Sequence, residues 1–135
     1  MKVPRIIKLK KFTSYSGSLL PITLNKKFPI NVKRIFFIFG KKNFKRGDHA
    51  HKKCSQLFIA IAGRIKIQMK YRNNTKNILL NSNVSRAILL PPMIWCNVKF
   101  LIKNSVLLVL NDYEYEYKDY IETYDEFLKL QKKKK

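Results

Sequence analysis

Between residues 33 and 110 the chain is a succession of short apolar runs closed by glycine, proline or asparagine, a pattern that suits β-strands and little else. Residues 33–39 stop at Gly40, and residues 56–62 stop at Gly63. Residues 64–71 alternate throughout. Successive strand side chains point to opposite faces, so Ile65, Ile67, Met69 and Tyr71 fall on one side and Arg64, Lys66, Gln68 and Lys70 on the other. Asn73-Asn74 supplies turn chemistry, and residues 77–80 read as the return strand. Residues 87–90 run into Pro91-Pro92, which ends them. Residues 95–100 and 106–110 complete the set, with shorter strands expected at 6–9 and 18–22. Only the C-terminal region has helical spacing. Tyr120, Ile121, Tyr124, Phe127 and Leu128 share one helix face, with Asp119 as the cap and Glu122 completing a capping box. Many short strands followed by one short helix predict an all-β sandwich or barrel with a C-terminal helix.

The chain has 135 residues, enough for one core, and no linker or repeat divides it; residues 1–131 read as a single domain and residues 132–135 as a basic tail. No apolar run approaches the ~18 residues of a membrane span. The N-terminus has a positive start but no long apolar stretch or small-residue cleavage site, so a cytoplasmic protein without membrane attachment is expected. The formal charge is +21, which would draw anions. Of the 29 basic residues 23 are lysine, spread along a chain also rich in asparagine and isoleucine, which points to background composition. A nucleic-acid groove would interleave basic residues with exposed aromatics. Here the aromatics sit among apolar strand residues, as core aromatics do, and nucleic acid is not an expected partner. The two cysteines, Cys54 and Cys96, lack CxxC spacing and read as free thiols.

His49 and His51 are the only histidines, two residues apart. On a strand both imidazoles face one space, and groups titrating near neutrality suit metal binding or proton transfer. After His51 come four residues, Gln56, and six more to Gly63. This is the spacing of the first cupin motif, with glutamine in the place of its glutamate. Pro91-Pro92-Met93-Ile94-Trp95-Cys96-Asn97 lies where the second cupin motif would, with Cys96 in the place of its histidine. Two imidazoles with a neutral amide and a lone thiol make a poor ligand set, so no metal is expected and the histidines are free for acid–base work.

A narrower resemblance rests on longer strings: Gly17-Ser18-Leu19, Lys33 through Gly40, Arg46-Gly47-Asp48-His49-Ala50-His51-Lys52, Gln56 through Ala60, Pro91 through Trp95, Val106 through Leu110, and Asp119-Tyr120-Ile121 with Tyr124 and Phe127. On these the chain resembles the dTDP-4-dehydro-6-deoxyglucose 3,4-ketoisomerases, metal-free cupins related to the WxcM-like proteins. The resemblance implies a dimeric jelly-roll barrel, with the segment before Gly17 exchanged between subunits. It implies a dTDP-4-keto-6-deoxyhexose as substrate, no cofactor, and transfer of the keto group from C4 to C3 for deoxy-aminosugar biosynthesis. It also implies that His49 and His51 line the sugar site and serve proton transfer.

Chemistry gives the pair distinct parts: His51 is the expected base, and His49 polarises the enediolate oxygens. Arg34 and Arg46 are the candidates for diphosphate or sugar oxygens, since guanidinium makes paired charge-assisted contacts. Gln56 is expected to bond a histidine or the sugar, and Trp95 to be core. The chain departs from the family at Thr23 (usually glutamate), at Phe36, Phe37 and Phe39 (tyrosines among them), and at Cys96 (usually histidine). The competing reading is a non-catalytic nucleotide-sugar-binding cupin.

Overall fold

The computed structural model describes residues 2–134. The strands are β1 (Arg5–Lys8), β2 (Phe12–Ser14), β3 (Gly17–Leu19), β4 (Arg34–Phe39), β5 (Lys45–His51) and β6 (Gln56–Ala62). They continue with β7 (Arg64–Tyr71), β8 (Asn74–Asn81), β9 (Arg86–Leu90), β10 (Trp95–Phe100) and β11 (Val106–Asn111). A turn of 3-10 helix (Tyr117–Asp119), β12 (Tyr120–Ile121) and helix α1 (Tyr124–Lys133) close the chain.

Two five-stranded sheets form the barrel, in the orders β1-β9-β6-β11-β4 and β12-β5-β10-β7-β8, and every pairing is antiparallel. The fold is the cupin jelly roll. The alternation in β7 decides its placement: Ile65, Ile67, Met69 and Tyr71 are buried in the core between the sheets. There they meet Phe58, Leu107 and Val109 from the first sheet and Val98 and Phe100 from the second. The β7–β8 hairpin turns on Arg72-Asn73, both with positive φ (49° and 61°), one residue earlier than the Asn-Asn pair suggests. Positive φ at both central positions is the tight two-residue turn that matches strand twist.

β6 and β11 are apolar on both faces because both faces are covered. Leu57, Ile59, Leu108 and Leu110 point away from the interior, and Leu9, Leu20, Ile22, Phe28, Ile30 and Val32 pack over them. Of the strand expected at 18–22, only Gly17–Leu19 forms a ladder, in a hairpin with β2; Leu20 and Ile22 serve as packing instead.

The C-terminal region departs most from expectation. Asp119 is not a helix cap, and Tyr120 and Ile121 are not helical: they extend the second sheet, pairing with His51 and Ala50. Burying Ile121 completely against Ala50, Met93, Trp95 and Phe127 outweighs its helical spacing. The helix starts four residues later than expected, at Tyr124. Thr123 Oγ1 accepts a hydrogen bond from the Glu126 amide at 3.2 Å, so Thr123-x-x-Glu126 provides the cap. The helix also runs through Lys133, so Lys132 and Lys133 belong to its last turn and not to a tail; Lys135 lies outside the described residues.

Candidate active site

The sheets enclose an open-mouthed cavity of about 550 Å³ on which Arg34, Arg46, His49, His51 and Gln56 all converge. Strict alternation forbids one part of this. Arg46 and His49 are three residues apart and would face opposite sides of a regular strand. A β-bulge resolves it: Cys96 pairs with His49 but its neighbour Asn97 pairs with Gly47, leaving Asp48 as an extra residue. Gly47 (φ 98°) and Asp48 (φ 59°) both adopt left-handed backbone. A Cβ on Gly47 would sit 3.0 Å from the Cys96 carbonyl oxygen, so glycine alone fits comfortably. Asn97 Nδ2 ties the bulge down, donating to Asp48 Oδ1 at 3.0 Å and Gln68 Oε1 at 3.1 Å. The bulge inverts the phase of β5, and Arg46, His49 and His51 share the cavity face.

His51 is buried. Its Nδ1 lies 2.9 Å from Asp119 Oδ2, while its Nε2 is buried with no protein partner. His49 is half-buried, its ring edge-on to His51 with centroids 5.2 Å apart. Tyr120, paired with His51 across the sheet, lies 4.4 Å from the His51 ring and 5.1 Å from the His49 ring. Burial lowers the pKa of both histidines below the ordinary 6.5. For His49 the neighbouring His51 adds to the lowering; for His51 the bond to Asp119 works against it. Both imidazoles are therefore neutral at neutral pH.

Gln56 bonds neither histidine: its Nε2 donates to Asn111 Oδ1 at 2.8 Å, and Asn111 in turn donates to the Arg34 carbonyl at 3.3 Å. Arg34 is positioned by stacking, its guanidinium 4.9 Å from the Phe36 ring and 5.1 Å from the Tyr115 ring. Arg46 lies on the exposed part of β5, at the cavity's rim. Trp95 is core: it packs outside the barrel on Tyr124 and Phe127.

Cys96 lines the cavity opposite His49, and burial raises its thiol pKa far above the ordinary range, so it is a neutral wall group. Behind His51, donor atoms of His51, Cys54 and Asp119 lie within 4.8 Å of one another. The carboxylate and Nδ1 are already bonded to each other, and burial pushes the Cys54 thiol up to about 12, so this trio is a hydrogen-bonded support and not a set of free ligands. Of the departures from the family pattern, Phe36, Phe37, Phe39 and Cys96 line the cavity; Thr23 is exposed and does not.

Asp119 and Tyr120 are the site residues that sequence spacing missed. Their local spacing fits a helix start, and neither stands near the histidines in sequence.

Residues 2–132 match the model of the WxcM-like, C-terminal family. The chain belongs to this family. It is 32% identical over 126 residues to the TDP-4-oxo-6-deoxy-α-D-glucose-3,4-oxoisomerase of Aneurinibacillus thermoaerophilus, covering 93% of this chain and 90% of that protein. The crystal structure of the sugar 3,4-ketoisomerase QdtA from Thermoanaerobacterium thermosaccharolyticum, in complex with TDP, superposes with a TM-score of 0.90 at 33% identity, covering 97% of this chain and 96% of that one. The WlaRB TDP-quinovose 3,4-ketoisomerase from Campylobacter jejuni gives 0.85 at 33% identity, covering 96% of this chain and 99% of that one. Among the described residues, no helix is long and apolar enough to cross a membrane.

Proposed function

We propose that this chain is a sugar-nucleotide 3,4-ketoisomerase that acts on a TDP-linked 4-keto-6-deoxyhexose, with His51 as the group that carries the proton. The observation that carries this reading is the His51 Nε2 atom, buried without a protein partner on a residue that lines the cavity and flanked by the rings of His49 and Tyr120. A neutral imidazole there accepts the C3 proton. The C3–H electron pair forms the C3=C4 double bond, and the C4=O π pair moves onto O4, giving an enediolate. The imidazolium then returns its proton to C4 as the O3–H proton passes to O4 and C3=O forms. The net change is one proton moved between carbons and one between oxygens, with no redox partner. His49 lies where it can hydrogen-bond the enediol oxygens, and Arg34 and Arg46 supply positive charge to the diphosphate.

The test is incubation with TDP-4-keto-6-deoxyglucose in deuterium oxide, followed by product analysis. A 3-keto product supports the reading, with the C3 hydrogen retained at C4 where His51 returns it before exchange and deuterium there where it exchanges first. Tight binding of the nucleotide sugar without C3 exchange or product would transfer the chain to the non-catalytic binding class.

The same reading includes a homodimer. The β2–β3 hairpin bonds to neither large sheet, and its residues are exposed, with Phe12 50%, Leu19 63% and Tyr15 fully exposed. An isolated two-stranded hairpin is marginal in water, so a second copy is the natural cover. Light scattering should give about twice the chain mass at micromolar concentration, and a monomer there would refute the dimer.

A further inference from the structure

We infer that Asp119 is a positioning residue that fixes the tautomer and ring orientation of His51. The inference rests on the proton-carrier reading of His51 and goes one step behind it. Asp119 is 7% exposed and sits just before β12, whose Tyr120 pairs with His51. Three donors meet its carboxylate: the Lys53 amide at 2.7 Å on Oδ1, the Cys54 amide at 3.3 Å on Oδ2, and His51 Nδ1 at 2.9 Å on Oδ2. Both backbone amides point their hydrogens at carboxylate oxygens, so Asp119 is the acceptor in every one of these bonds. A carboxylate only accepts, so Nδ1 must carry the hydrogen and the lone pair of the neutral ring must lie on Nε2. That is the buried nitrogen without a partner.

The backbone holds the arrangement from two sides. The Lys52 amide donates to the Asp119 carbonyl at 2.8 Å, and the Met93 amide donates to the His51 carbonyl at 2.8 Å. The imidazole can neither slide along β5 nor rotate without breaking the bond to Oδ2. The residues that make His51 a base are thus spread over three segments: the histidine on β5, the amide pair in the turn that follows it, and the carboxylate some 68 residues on.

Asp119→Asn separates this role from a merely structural one. The amide oxygen still accepts from Lys53, so the turn keeps its shorter bond. The amide nitrogen now donates to Nδ1, which puts the ring hydrogen on Nε2 and leaves no lone pair facing the cavity. A carboxylate-to-amide change behind a catalytic histidine costs up to about 10⁴-fold in kcat by this route. We expect kcat to fall by about 10²–10⁴-fold with KM within a few-fold of wild type.

The readout independent of turnover is nitrogen NMR of histidine-labelled protein. Wild type should show His51 as the Nδ1–H tautomer, and the variant as Nε2–H. A wild-type His51 protonated on Nε2 overturns the inference without any variant, even if Asp119→Asn does not fold. So does a folded Asp119→Asn protein that keeps kcat within about three-fold. A wild-type protein with no isomerase turnover but an Nδ1–H His51 overturns the proposed function and leaves the positioning role standing.

Discussion

The two walls of the cavity are built to different standards of rigidity. On one side His49 and His51 sit on β5, bonded to β10 on one edge and β12 on the other, with Trp95, Ile121 and Phe127 packed behind. Each polar atom of Asp119 is committed, and the bulge at Asp48 is pinned by Asn97. On the other side β4 is an edge strand, bonded to β11 alone. Its Phe36 and Ile38 turn inward, while Ile35, Phe37 and Phe39 remain 50% or more exposed. Groups that transfer protons need placement within fractions of an ångström, and the doubly flanked strand provides it. Groups that recognise a ligand tolerate exchange, and the edge strand offers side chains that can change without collapsing the core. Phe36, Phe37 and Phe39 fall on that permissive wall.

The largest expected effect breaks the rigid wall at its centre. His51→Asn keeps a donor for Asp119 but removes the titratable nitrogen from the cavity. A lost general base typically costs 10²–10⁴-fold in rate, so kcat should fall by about that much, with the thermal midpoint little changed. A folded His51→Asn protein with near-wild-type turnover removes His51 from the mechanism.

The permissive wall should answer differently. Arg34→Gln removes a guanidinium held between two aromatic rings, with no carboxylate partner left stranded in the core. Charge-assisted hydrogen bonds contribute about 1.5–3 kcal/mol, so KM for the nucleotide sugar should rise by roughly 10–100-fold while kcat stays near wild type. A fall confined to kcat would place Arg34 with the proton-transfer groups and erase the contrast between the walls.

Much of this was legible in the residues. Alternation in 64–71 and the closures at Gly40 and Gly63 were enough for a β-barrel, because burial on a pleated sheet imposes a period of two that local sequence displays. The pair His49–His51 was legible for the same reason. Two things were not. The convergence of Arg46 with the histidines needs the bulge; its trace is the Gly47-Asp48 dipeptide, whose left-handed backbone changes the phase inside a strand. Asp119 was hidden by a local pattern that truly resembles a helix start. Only the long-range pairing of Tyr120 with His51 and the burial of Ile121 override it, and pairing at that separation leaves no local periodicity.

The smallest effect tests the rigid wall in the absence of any substrate. Both histidine pKa values lie below 6.5 in the folded chain, chiefly because burial penalises the charged ring. In the unfolded chain both return to the ordinary 6.5, so as pH falls through that value the unfolded state takes up protons first. Stability rises with pH wherever the unfolded state binds more protons. The histidines therefore leave stability untouched above about pH 7, and withdraw it progressively as pH drops below 6.5. Denaturant melts at pH 7.5, 6.5 and 5.5 should show the decline setting in across that interval. Because β4 carries neither histidine nor carboxylate, His49→Asn with His51→Asn should abolish the decline between pH 7.5 and 5.5, whereas Arg34→Gln should keep it. An undiminished slope in the double variant would mean that the acid sensitivity, and the desolvation it reports, belongs elsewhere in the molecule.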